Sequence, residues 1–505
     1  MRYTLLISVC SLLLFIPSSA LLWKCQLLFT PNFNVLAAKL RKNIMVLVWE
    51  ETYDSGTVAF ITLCTALVFI MVPGLGFLYS GLARRKSALS LIWTVLMACV
   101  VGFVQWYFWG YSLAFSSTAT NGFIGNLDSF GLRNIYASED ADYPEFAFAI
   151  FQNMFLCVTL AIISGATAER GRVLPHMVFL FFWATLVYCP LACWVWNPSG
   201  WAFKWGALDY AGGCAVEIGS GVGGFVYSWF LGKRKEKLLI NFRPHNVSLV
   251  TLGTSLLWFG WLGFNGGTAL LPNLKPIYAI MNTNLTASFA AMTWCVLDYR
   301  LEKKWSTVGL CSGLISGLVA ATPASGCIPL YGSVVLGIVT GVVCNFSTGI
   351  KYLVGVDDAL DILAEHGIAG ILGLFFNALF GADWVIGMDG VSEHDGGFIS
   401  HNYKQIYIQI AIIGAAVGYT AVVTAIICFI LDKIPGLKLR ANEEGEAKGM
   451  DEDQIGEFAY DYVEVRRDFL SWGSGHNDHI PQVIDQQDQS TTETPPGVGE
   501  EKTES

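Results

Sequence analysis

At 505 residues, with 54% hydrophobic and 14% charged side chains, the chain is far more apolar than an average soluble protein. Its net charge of −10 excludes a basic nucleic-acid surface, and much of the acid lies after Asp432, in Glu443, Glu444, Glu446, Asp451, Glu452 and Asp453, where it reads as a solvated tail. The sequence carries no metal-ligand cluster, nucleophile elbow or phosphate loop, so neither an enzyme nor a cofactor is expected.

Residues 1–56 form an N-terminal extension. Arg2, the apolar stretch 4–16 and Pro17-Ser-Ser-Ala20 resemble a cleavable signal peptide. An added extension, or a start upstream of the true one at Met45, fits the same residues. From 57 to 431 the chain falls into eleven apolar runs, near 57–79, 88–115, 146–168, 173–196, 212–231, 248–270, 281–298, 306–323, 330–350, 362–386 and 404–431. Each is close to the roughly 20 residues that a helix needs to cross lipid. Each is also apolar nearly all round, which marks a membrane helix rather than an amphipathic surface one. The expected fold is an all-α integral membrane protein of eleven transmembrane helices. The 13 cysteines are scattered without a Cys-x-x-Cys pair and read as small hydrophobic residues, Cys189 and Cys193 included.

Basic residues set the expected orientation. Arg84, Arg85 and Lys86, Arg170 and Arg172, Lys233 to Arg243, and Arg300, Lys303 and Lys304 fall in one set of loops. The alternate loops hold little beyond Arg133, Lys204, Lys275 and Lys404. The rich set should be cytoplasmic, leaving the N-terminus outside and the C-terminus inside. Asn284-Leu-Thr286 then falls on an outer loop as a glycosylation acceptor. In the tail, residues 432–470 keep apolar and aromatic side chains suited to folding against the membrane domain. Residues 471–505 hold too few to offset ordering entropy.

Two ionisable residues lie within the apolar runs, Glu217 eight residues after Asp209 and His366 eight after Asp358. Such groups are costly in lipid and mark pathways by default. Eight helical residues rise about 12 Å. On that count Glu217, entered from outside, and His366, entered from inside, both lie near the midplane. This is the pattern of an inverted repeat relating spans one to five to spans six to ten, with the eleventh added. Leu75-Gly-Phe77 and Leu262-Gly-Phe264 are a weak echo of it.

The segment Asp209-Tyr-Ala-Gly-Gly-Cys-Ala-Val-Glu-Ile-Gly-Ser-Gly221 resembles the signature of the ammonium transporter (Amt/Mep/Rh) family. The resemblance recurs at Pro73-Gly-Leu-Gly-Phe-Leu-Tyr-Ser-Gly-Leu82, Phe151-Gln-Asn-Met-Phe155, Gly165-Ala-Thr-Ala-Glu-Arg170, Trp258-Phe-Gly-Trp-Leu-Gly-Phe-Asn-Gly-Gly267, Asp357-Asp358 and Glu365-His-Gly367. Gln454-Ile-Gly-Glu-Phe-Ala-Tyr-Asp-Tyr462 looks like the fungal Mep branch. The resemblance implies a plasma-membrane homotrimer with one pore per subunit and electrogenic uptake of ammonium or methylammonium. It matches Trp196 and Phe155 to an outer aromatic vestibule, with Thr268 where a serine is usual, and Asp209 to the acidic residue below it. Phe155 and Phe264 match a gate, Trp261 the pore wall, and His366 the second of a pair of histidines. Glu217 stands where the first histidine is common, as in part of the fungal branch.

Ammonium and potassium are close in size and charge, so selection must use either the four donor hydrogens of ammonium or its removable proton. The expected mechanism is recruitment by the aromatic site and Asp209, loss of the proton near the gate, passage of ammonia along an apolar pore, and separate proton transfer through Glu217 and His366, with Asp358 at the inner mouth. Two other readings are an ammonium sensor whose tail signals to a cytoplasmic partner, and a general cation channel, which the apolar segment beyond the gate disfavours.

Overall fold

The structure, a computed structural model, describes residues 53–135, 142–235 and 243–460. The signal-like segment and the tail beyond Tyr460 lie outside the described residues. Residues up to Ala459 form one compact unit, which the following account concerns; Tyr460 is the sole described residue of the second.

Among the described residues the unit is helical and holds no strand, only an isolated bridge between Gly171 and Arg440. Ten helical runs are long and apolar enough to cross a membrane: α1 (Ser55–Leu82), α2 (Arg85–Phe115), α3 (Glu145–Thr167), α4 (Val173–Trp205, broken at 197–200), α5 (Gly213–Leu231), α6 (Val247–Gly267), α8 (Thr307–Ala324), α9 (Leu330–Val354), α10 (Leu363–Phe380) and α11 (Gln405–Lys433). Between α6 and α8 runs α7 (Leu274–Glu302), as long as α11 but less apolar, and packed against α8 and α9. Side-chain caps start several of these helices, satisfying amides that the helix itself leaves free. Asp54 accepts from the Thr57 amide, Asn246 from Leu249 and Ser306 from Gly309.

Asn273 caps α7 seven residues before the apolar run begins, which overturns the placement of Asn284 on an outer loop. Asn284 lies within the helix, donates to the Ile280 carbonyl and accepts from the Trp258 indole. A side chain so engaged is no glycosylation acceptor. The described cysteines are free, and all but Cys295 are buried, so Cys189 and Cys193 pack inside rather than face lipid.

The described tail folds against one end of the bundle, through contacts between segments far apart in sequence. The Arg172 amide donates to the Leu439 carbonyl and the Ala441 amide to the Arg170 carbonyl. The Arg440 guanidinium reaches the Leu231 carbonyl and pairs with Glu446, which belongs to α12 (Glu443–Lys448). Asp451, buried, accepts from the Leu89 and Ser90 amides at the start of α2. The loops around 84–90, 168–173 and 231–235 therefore share this end. Their charges are internally paired: Glu169 meets both Arg84 and Arg234, and Arg234 pairs with Asp357.

Candidate functional site

Helices α5 and α10 run antiparallel and cross where neither carries a side chain. A Cβ at Gly221 would lie 2.5 Å from the Gly367 Cα, and one at Gly370 would lie 2.7 Å from the Glu217 Cβ. This approach brings Glu217 and His366 together. The Glu217 Oε2 and His366 Nδ1 are 3.0 Å apart, with the two side chains 0% and 3% exposed. The second carboxylate oxygen, Oε1, makes no hydrogen bond among the described residues.

The route by which the pair becomes buried differs from the expected one. Asp209 to Gly212 are not helical, so eight helical residues do not separate Asp209 from Glu217. Helix α5 opens with a π-helical turn, Gly213–Ile218, and α10 with another, Leu363–Ile368. Each ionisable residue therefore sits on the first turn of its helix. Both helices start inside the bundle: Gly213 faces Leu374, and Gly224 faces Ile362. The irregular lead-ins carry the chain to that depth. π-turns within helices are uncommon and recur at functional sites.

An aspartate anchors each turn. Asp209 Oδ1 accepts from the Gly212 and Gly213 amides and Oδ2 from Cys214, while Asp358 Oδ2 accepts from Leu363. The capping expected of Asp209 is thus present, and three of its roughly four acceptor positions are taken by backbone. Gly212 has a φ of 120°, which a side chain at this turn would not tolerate. The backbone of the first lead-in is satisfied by the end of α8, through Tyr210 N to Pro323 O and Ala211 N to Thr322 O. Asn377 on α10 donates to the Pro323 and Leu208 carbonyls and joins the same bracing.

A second group of site residues forms an aromatic stack. Phe155 and Phe264 are stacked with centroids 4.0 Å apart, and Trp261 is 5.7 Å from Phe264. All three are buried. Trp196, half-buried, meets Phe155 edge-on at 5.9 Å and donates its indole N–H to the Asp209 carbonyl. The structure so brings together Trp196, Phe155, Phe264, Trp261 and Asp209, and separately Glu217 with His366. Thr268 lies one turn beyond Phe264, with its hydroxyl donating to the Phe264 carbonyl. Asp358, buried, is bonded to its own helix and not to His366.

Sequence reading gave no role to four neighbours. Phe115 stacks parallel to Trp196 at 6.4 Å. Thr322 accepts from the Trp261 indole N–H at 2.9 Å, and Gly221 and Gly367 set the crossing. A hydroxyl directly followed by Pro323 in a mostly apolar run was the one available signal for Thr322.

The sequence matches the Ammonium Transporter Family over residues 59–460, and the chain belongs to that family. Among curated relatives it is 71% identical over 428 residues to the ammonium transporter MEP3 of Saccharomyces cerevisiae, covering 84% of this chain and 88% of that one. Among solved structures it resembles the crystal structure of Saccharomyces cerevisiae Mep2, with a TM-score of 0.74 at 49% identity over 78% of this chain and 91% of that one. It also resembles a structure titled Sensor Amt Protein, with a TM-score of 0.71 at 26% identity over 78% and 97% of the two chains. The chain is thus a multi-pass membrane protein of a transport family.

Proposed function

We propose that this protein is an electrogenic ammonium transporter of the plasma membrane that separates ammonium into ammonia and a proton and moves them by different routes. The observation that carries this reading is the buried Glu217–His366 contact in a helical bundle that also holds the buried, stacked Phe155 and Phe264 rings. A bare cation is costly in such surroundings, whereas ammonia is not. A carboxylate against an imidazole can hold and pass on the proton that ammonia leaves behind.

In this reading Trp196, Phe155 and Thr268 form the recruitment site, where cation–π attraction contributes about 0.5–2 kcal/mol. Asp209, its oxygens held by backbone amides, acts through its charge and through the shape it gives the lead-in. The proton leaves ammonium at the Phe155–Phe264 gate, ammonia passes Trp261, and Glu217 with His366 carries the proton inward. Asp358 holds the second π-turn at the inner side. Glu217 replaces the first histidine of the usual pair, so the relay is acid–imidazole rather than imidazole–imidazole.

The helix count proposed is eleven, with α7 as the less apolar seventh. The matching lead-ins and π-turns of α5 and α10 support a five-plus-five inverted repeat, α11 standing outside it. The subunit is proposed to assemble as a homotrimer with one pore each. Residues 1–56 are the extension, 57–431 the transport domain, 432–470 a cytoplasmic regulatory tail and 471–505 an acidic tail. The loops joined by the tail carry the basic clusters, which supports a cytoplasmic position for that end.

The test is current and labelled methylammonium uptake on one reconstituted sample, with ammonium against potassium. Glu217→Gln and His366→Gln should abolish most of the ammonium-evoked current. Current at the wild-type level in the double variant refutes the mechanism. A second reading, an ammonium sensor acting through the docked tail, draws on the likeness to the Sensor Amt Protein. It predicts signalling that survives when uptake is lost.

A further inference from the structure

Glu365 is a buried carboxylate that the proposed mechanism leaves without a task. It is 7% exposed and follows Ala364 in the π-turn that presents His366. No described ion pair includes it, since Lys351, the nearest cation, is committed to Asp361 at 2.7 Å. Its polar neighbours are the Ser312 hydroxyl, Asp361, Asp358 and Lys351. Cys311, Cys344 and Tyr79 also lie within its electrostatic range, and Tyr79 is in range of Glu217 as well.

Three of these neighbours, Ser312, Lys351 and Asp361, also line a cavity of about 260 Å³, together with Asp298 and others. Ser312 is near the start of α8 and Pro323, which holds the Asp209 lead-in, is near its end. The two are about 16 Å apart along the helix. The cavity thus opens at the far end of the bundle from Asp209. Two carboxylates line it against one ammonium group, and Glu365 is a third carboxylate close to the lining residue Ser312.

We infer that Glu365 is a further ionisable station of the path, which hands the relayed proton to ammonia beside a cavity suited to a small monovalent cation. The inference rests on the transport reading. A proton from the Glu217–His366 pair makes Glu365 a carboxylic acid. Its O–H bond then breaks as the ammonia lone pair forms a fourth N–H bond, and ammonium is left in a cavity where negative groups outnumber positive ones. Carboxylate is thereby restored at Glu365, ready for the next proton.

The experiment compares Glu365→Gln, Glu365→Asp and Glu217→Gln with the unmodified full chain in proteoliposomes, by ammonium-evoked current, with the amount of inserted protein measured. Glu365→Gln should lower maximum current about ten-fold or more, the scale of a lost proton-transfer group. The half-saturating outer ammonium concentration should not move, and Glu365→Asp should recover much of the current. An unchanged maximum in Glu365→Gln, or equal loss in the Gln and Asp variants, overturns the inference. If Glu365→Gln does not insert, Ser312→Ala is read instead; a lower maximum supports the inference and an unchanged one overturns it. Wild-type current in Glu217→Gln would instead count against the underlying transport mechanism.

Discussion

Replacing Gly221 with alanine should separate the central pair without touching either member of it. The added Cβ would lie 2.5 Å from the Gly367 Cα, and nearer still to the Gly367 amide nitrogen. Both neighbours are backbone, so no side-chain rotation relieves the clash. The amide nitrogen is the nearest atom, at 2.2 Å, so reaching the 3.4 Å at which ordinary contact begins requires α5 and α10 to part by about 1.2 Å. Applied to the 3.0 Å Glu217–His366 contact, that displacement gives about 4.2 Å, beyond hydrogen-bond range. Overpacking of this kind costs about 1–3 kcal/mol, which a bundle of this size tolerates while remaining folded. Gly221→Ala is therefore expected in the membrane at near-normal abundance, with a lowered melting temperature and most of its ammonium-evoked current lost. Gly418→Ala on α11, where a Cβ meets nothing within 4 Å, is the control and should behave as wild type or melt slightly higher. Wild-type current in Gly221→Ala, measured beside a lowered melting temperature, would refute the claim that transport depends on the 3.0 Å contact.

Three further outcomes follow from contacts around the site. Thr322→Val leaves the buried Trp261 indole N–H without its acceptor and should cost about 1–3 kcal/mol, read as a lower melting temperature in detergent. Burial alone would raise the Asp357 carboxyl, but Arg234 and Arg170 outweigh it and hold it at about 2, below its ordinary 3.8. Its contribution to stability is then complete above pH of about 4 and is lost as pH falls toward 2, so that acid melting in this window should flatten in Arg234→Met. Asp451→Ala uncovers the Leu89 and Ser90 amides at the start of α2 and should weaken tail docking by about 0.5–2 kcal/mol. Limited proteolysis should then remove the tail faster while the helical bundle stays intact.

Hydropathy carried most of the fold because lipid imposes one requirement on every span: satisfy the backbone internally over about 30 Å. The local exceptions were not legible. The run ended at 196 as read, but the further turn Trp201–Trp205 and the early start of α7 depend on which polar side chains find partners elsewhere, as Asn284 does with Trp258. The tail's apolar residues announced that it would pack. Its attachment through Asp451 to α2 was not visible, because a contact between residues more than 350 positions apart leaves no local pattern. Likewise, 52 glycines give no sign of which two will meet, and Gly221 with Gly367 emerged only from the crossing of α5 and α10.

The spacing of eight between each aspartate and its ionisable partner was informative for a reason other than helix rise. Each aspartate stands before an irregular lead-in, binds the first amides of a π-turn, and leaves Glu217 or His366 on that turn. Depth comes from the lead-in, which places the start of each helix inside the bundle. This arrangement removes the need to thread an ionisable group through a full half-span of lipid-facing helix. It also aims the free amides at the helix starts toward the interior, where an aspartate is required to satisfy them. The same device serves both sites, so that Glu217 needs only a side chain that reaches His366 from the fifth position of its turn.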